Sequence, residues 1–358
     1  MRLPVRTFTT VLSATALWCL ASLFLVAPAH AGIGGDTTDG GYGARVEVHL
    51  SGDVSQAHVA SVPGPPPMCW WENLSNTMLD SEKVDTSDPK AVQKYYDEDV
   101  RPWLTGHAAT GVLAMPSFEQ FQDAIRRKKA GEDITWYALQ IREGSIGGDY
   151  EDEAYAGNVR DMASACGTEA RNGPYGPVLL SWQAFPTGNP PAPAVDPEDL
   201  AEYAYEVMDL KRPTLDWNPH LASADDATLV NLPTWLWTED PAAVEERQVT
   251  AEAAGISVTV TAQPNGMTVS TPVGGTDCSA AQARTAYAPG VDQSSACVYT
   301  FPIGSFAYAG GFPVDATTGW QATWTSNVGE GGDLEAKVMN ATTNIPVIEV
   351  QSRVSNIS

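Results

Sequence analysis

The chain has 358 residues, 43% of them hydrophobic, and its 20 basic and 44 acidic side chains leave a net charge of −24. That is apolar material enough for a core, and the length suits about two domains. So acidic a chain is repelled by nucleic acid and by anionic membranes, which excludes DNA and RNA as partners.

Arg2 and Arg6 precede an apolar run, Val11-Leu12 and then Ala14 to Val26, which closes at Ala29-His30-Ala31. Residues 1–31 therefore read as a secretory signal peptide, cleaved between Ala31 and Gly32. The run is short for a spanning helix, and no later segment reaches eighteen apolar residues. Cys19 lies inside the run rather than at a lipid-attachment position, and no twin arginine is present. The expectation is an extracellular or wall-associated chain with no membrane span. Removal of Arg2 and Arg6 takes its charge from −24 to −26.

Four cysteines remain after cleavage: Cys69, Cys166, Cys278 and Cys297. An even number in an oxidising compartment reads as two disulfides, with three connectivities possible. Spacing and the domain division below favour Cys69–Cys166 and Cys278–Cys297, each contributing roughly 3 to 5 kcal/mol on the chain-entropy model. There is no Cys-x-x-Cys, and His49, His58, His107 and His220 are scattered, so no zinc site is expected.

Residues 32–67 read as an extended N-terminal arm in which Arg45 to Leu50 alternates as a half-buried strand does, closed by a proline-rich stretch at 61–67. Residues 68–220 read as an α+β region. Asp88-Pro89 caps a helix carrying Val92, Tyr95, Tyr96, Val100 and Trp103, and Ser117 with Gln120 forms a capping box for Phe118, Phe121, Ala124 and Ile125. Ile134 to Ile141 is a β-type run, and Asp196-Pro197 opens a helix with Leu200, Tyr203, Ala204 and Val207. Past Leu229 the period becomes two. Ile256, Val258, Val260 and Ala262 share a face, as do Cys297, Tyr299 and Phe301, then Trp320, Ala322 and Trp324, then Leu334, Ala336 and Val338, before a last run at Val347 to Val354. Residues 229–358 are thus expected to form an all-β sandwich.

Leu229-Val-Asn-Leu-Pro-Thr-Trp-Leu-Trp237, Gly255 to Ala262, Trp320 to Trp324 and Ile348-Glu-Val-Gln351 resemble a family of secreted actinobacterial proteins of unassigned function. The resemblance runs from Asp196 to the C-terminus and implies a PKD-like, immunoglobulin-like C-terminal module. The chain lacks the usual PKD turn, reading Met267-Thr-Val-Ser-Thr-Pro where it would stand. Some members of that family carry a nucleotide-binding label. No Gly-x-x-x-x-Gly-Lys-Ser/Thr occurs here, so no nucleotide is expected.

Candidate chemistry is sparse. Ser145 sits in Gly144-Ser-Ile-Gly147, which is no nucleophile elbow. The acid runs Asp97-Glu98-Asp99 and Asp149 to Glu153 lack EF-hand spacing and read as solvated surface, so no catalytic residue, metal or cofactor is assigned. Trp235 and Trp237 lie two apart and share a face of an extended segment. They read either as a sugar-stacking platform or as a plug at the domain junction, and Leu232, Pro233 and Leu236 favour burial. Trp70 and Trp71 are expected to pack around the Cys69 disulfide. The expected function is a non-enzymatic secreted or wall-associated protein whose module is an interaction or spacer unit, its partner an envelope protein or wall polymer. The alternatives are a wall-polysaccharide-binding protein and a hydrolase with its site in 69–166.

Overall fold

The computed structural model describes residues 37–38, 41–42, 46–73, 88–102, 113–114, 116–147, 154–173 and 176–350. The signal segment and its cleavage point, Trp103, His107, the acid run at 149–153 and the end of the last β-run lie outside the described residues.

A four-stranded sheet organises the first part, in the order Ala194–Val195, Pro67–Asn73, Ile134–Ile141, Trp182–Pro186. Ile134–Ile141 is buried on both faces. Ile134, Trp136 and Ala138 meet Val92, Tyr95, Phe121 and Ala124, from the helices Pro89–Tyr95 and Phe118–Lys129. Tyr137 and Leu139 point the other way, into a cluster with Val159, Met162 and Ala163 of the helix Tyr155–Ala165. The expected helix starts at Asp88 and Ser117 are present. The Asp88 carboxylate accepts the Lys90 N–H, and Ser117 and Gln120 bond each other's backbone reciprocally. Cys69 and Cys166 are joined, fastening the end of helix Tyr155–Ala165 to the sheet, and Trp71 Nε1 donates to the Cys166 carbonyl at 2.8 Å.

The second part is built on one large antiparallel sheet of seven strands. Its spine is Phe312–Ser326, which pairs along one side with Gly331–Ile345. On the other side it pairs first with Met267–Thr271 and then with Ile256–Pro264. Gly274–Cys278 lies outside Met267–Thr271, and Arg247–Ala253 outside Ile256–Pro264, followed by the short arm strand His49–Gly52.

Period two sends Phe312, Val314, Ala316, Thr318, Trp320, Ala322 and Trp324 of the spine inward, and all are buried. They serve two cores. Phe312, Val314 and Ala316 pack with Leu215, Leu236, Cys297 and Phe301, which come from or adjoin a facing three-stranded sheet, Leu215–Asn218, Pro233–Thr238 and Cys297–Thr300. Trp320, Ala322 and Trp324 pack with Val249, Val258 and Val260 beneath Leu200, Ala201, Ala204 and Tyr205 of the helix Pro197–Glu206. Cys278–Cys297 joins the large sheet to the facing one.

Two expectations need revision. The helix after Asp196, grouped by the sequence with the α+β region, covers the large sheet, and the arm supplies that sheet with a strand. Periodicity marks an apolar face without saying which sheet will cover it. Leu334, Ala336 and Val338 do not share a face, because the ladder shifts register opposite Gln321, between Trp320 and Ala322. The extra residue of a bulge reverses the alternation, so Leu334 and Met339 are half-buried while Ala336 and Val338 are exposed.

Candidate interaction site

The segment from Gln293 to Val314 contains no charged residue, although 18% of the chain is charged. After a short turn at Gln293–Ser295, Cys297–Thr300 forms the edge of the facing sheet, and the last residues of the segment begin the spine. Between them the chain makes a loop, Phe301 to Gly311, held at several points. Ser305 is buried; its N–H donates to the Val347 carbonyl at 2.9 Å, and its Oγ accepts the Val347 N–H at 2.9 Å. The Ser305 carbonyl accepts the Tyr308 N–H at 2.8 Å, closing a turn, and the Tyr308 carbonyl accepts the Gly311 N–H at 3.2 Å. Gly311 has φ +113°, and a Cβ there would lie 2.4 Å from the Ile345 carbonyl carbon, so the loop's re-entry into the sheet requires glycine.

Aromatic rings anchor the loop from below. Tyr299 meets Phe301 edge-on at 4.9 Å, Phe301 stacks on Phe312 at 5.8 Å, and Tyr308 lies 5.0 Å from Phe312. Phe306 stands outside this row and is 89% exposed, with Ile303 at 49%. Adjacent backbone carries further apolar side chains. The Asn231 N–H donates to the Phe301 carbonyl, and Thr228–Leu229 pairs in parallel with Val347–Ile348. Leu232 and Val350, in the flanking chain, are exposed as well. Leaving a phenylalanine in water forgoes roughly 1.5 to 3 kcal/mol of burial. Because the loop is fastened by hydrogen bonds, Phe306 is offered outward in a defined position rather than left at the tip of a loose segment.

The residues singled out by sequence are distributed differently. Trp235 is buried and meets Tyr287 edge-on at 5.3 Å, so its ring presents no flat face to solvent. Trp237 shares its face of Pro233–Thr238 and is half-buried. Leu236 faces the opposite way, into the core, while Leu232 and Pro233 are exposed, so these three do not hold the tryptophans as expected. Trp320 and Trp324 lie on the inner face, as expected. Ser145 Oγ accepts from Arg142 Nε at 3.1 Å, and Asp97, Glu98 and Asp99 are exposed, Glu98 facing Lys94 one turn back at 3.9 Å. His220 Nε2 lies 3.1 Å from Asp216 Oδ1 on the surface. Among the described residues no group of three or more His, Cys, Asp or Glu could hold a metal ion, and no helix is long and apolar enough to cross a membrane. The Phe306 loop was missed by sequence reasoning, although its uncharged run was a usable signal. No protein-family model, curated protein or solved structure matches this chain.

Proposed function

We propose that this is a non-enzymatic extracytoplasmic binding protein, that residues 229–358 form a PKD-like, immunoglobulin-like module, and that the Phe306 loop docks an envelope protein. The observation that carries the reading is the 89% exposure of Phe306 on a loop bonded to Val347 and backed by the buried rings of Phe301 and Phe312. Aromatic residues are enriched at protein interfaces, and a pre-ordered loop loses little entropy on binding. Two sheets facing each other across a shared core, clipped by Cys278–Cys297, support the module assignment. The partner surface is an apolar pocket on a protein rather than an anionic wall polymer, which a chain of charge −24 would repel.

Retention of the purified protein on washed cell envelopes tests this, with Ile303→Ser/Phe306→Ser as the variant. The parent should be retained on untreated envelopes and released once they are stripped with protease. The variant should melt like the parent yet stay in the supernatant. Equal retention of the variant, or undiminished retention of the parent on stripped wall polymer, would overturn the proposal.

A further inference from the structure

The large sheet closes one flank and leaves the other open. On the closed flank the outer strands are short, four residues in His49–Gly52 and five in Gly274–Cys278. Each is also secured, the first through Asp53 to Arg247 and Gln248, the second through Cys278–Cys297. Short, fastened outer strands are how sheets avoid unwanted pairing. The opposite flank is the fifteen-residue strand Gly331–Ile345. It pairs on one side with Phe312–Ser326, and among the described residues no other strand pairs with its other side.

That edge is not uniform. Its first half carries Asp333, Glu335 and Lys337 and the register shift, and Lys337 is engaged by Glu206 at 3.0 Å and by the Tyr205 carbonyl at 3.1 Å. From Val338 to Ile348 there is no charge at all, and Pro346 ends the strand. Bulge, charge and proline therefore confine any added strand to about residues 337–345. Within that window, faces alternate. Val338, Asn340, Thr342 and Asn344 are exposed, whereas Met339, Ala341 and Thr343 are half-buried.

We infer that this edge pairs with the same edge of a second copy of the chain, antiparallel, about a two-fold axis at Ala341. A two-fold normal to the sheet keeps like faces together, so residues of equal parity must oppose one another. Centred on Ala341, the register sets Asn340 against Thr342, Val338 against Asn344, Met339 against Thr343 and Lys337 against Ile345. Within residues 337–345 no like charges face each other in it. A centre at Ala341 uses residues 337–345 in full, whereas one at Lys337 would set that charge against itself and one centred later would run into Pro346. The association is weak, because each copy carries a charge of −24, and salt should strengthen it by screening that repulsion. This inference is independent of the Phe306 loop.

Sedimentation equilibrium of the purified full-length protein, together with cysteine crosslinking, tests it. The mass should rise towards that of a dimer with concentration and with added salt. Ala341→Cys should give a disulfide-linked dimer on mild oxidation, since opposed Cα atoms in an antiparallel pair lie about 4.5–5.5 Å apart, within disulfide reach. Val338→Cys, although more exposed, should not, because the two copies of that residue would be separated along the strands. Asn340→Lys/Thr342→Lys, on the solvent face, should melt as a folded protein and remain monomeric. A monomeric parent at every concentration and salt, or crosslinking at 338 equal to that at 341, would overturn the inference. Dimerisation of the double-lysine variant as readily as the parent would do the same.

Discussion

Replacing Asp53 by alanine should unfasten the N-terminal arm from the large sheet. The Asp53 carboxylate makes two distinct contacts: Oδ1 lies 3.0 Å from Arg247 Nη2, and Oδ2 accepts the Gln248 N–H at 2.9 Å. Its backbone N–H donates to the Gln248 carbonyl and its carbonyl accepts the Asp209 N–H, both at 2.8 Å. One residue therefore joins the arm to the sheet and to the segment after helix Pro197–Glu206. The Arg247 side chain is only 16% exposed and its Nε has no hydrogen-bond partner, so Asp53 is what compensates that buried charge.

The magnitude follows from those contacts. A hydrogen bond to a charged group contributes about 1.5 to 3 kcal/mol. Stripping a partner from a fully buried ion costs about 3 to 5 kcal/mol. Asp53 is 35% exposed, so water compensates part of this, and the expected loss for Asp53→Ala is about 2 to 4 kcal/mol. Asp53→Asn, which still accepts from Gln248, should lose about half as much. Adding Arg247→Ala to Asp53→Ala should cost less than the two losses summed, because the orphaned charge is then gone. Guanidinium unfolding of the four proteins measures these terms. Hydrogen exchange should quicken at Val249 to Glu252, the residues paired with His49–Gly52. A loss under about 0.5 kcal/mol with unchanged exchange would refute the clasp, since that is the scale of ordinary surface substitutions.

Three further outcomes can be checked. Burial, opposed by a hydrogen bond from the Lys337 backbone and reinforced by the nearby Glu206 charge, pushes the Tyr205 phenol up to about 12 from the usual 10. The folded state thus keeps a proton that the unfolded chain releases, and stability should fall by about 3 kcal/mol as pH rises from about 10 to about 12. Tyr205→Phe should lack that decline in denaturant midpoints; equal alkaline declines would contradict this. Trp235→Ala should cost about 3 to 5 kcal/mol, whereas half-buried Trp237→Ala should cost about 1 to 2 kcal/mol, and equal melting losses would count against the assigned burial. Non-reducing peptide mapping should recover Cys69 with Cys166 and Cys278 with Cys297; a bridge between the two halves would contradict the fold.

Local features were the legible ones. Asp88-Pro89 and Ser117 with Gln120 announced two helix starts because capping is decided within four residues, and alternation at Ile256 to Ala262 and Trp320 to Trp324 identified buried faces. What required distant partners was not legible. Nothing in Asp196 to Val207 says that Leu200 and Ala204 meet Val258 and Trp320, or that His49–Gly52 crosses to Arg247–Ala253. The bulge in Gly331–Ile345 reversed the inward face partway along a strand whose pattern looked regular. For the candidate site, attention to tryptophan pairs favoured Trp235, which is buried. Phe306 is exposed beside Ser305, which is bonded to Val347 across more than forty residues of chain.

Phe306 is the residue proposed to contact a protein partner. That contact is tested most directly by placing a photo-crosslinking benzophenone side chain at position 306, with a control at exposed Gln321 on the outer face of the large sheet. Illumination with intact envelopes should produce one discrete protein adduct from position 306 and none from position 321. No adduct from 306, or the same adducts from both positions, would contradict the account.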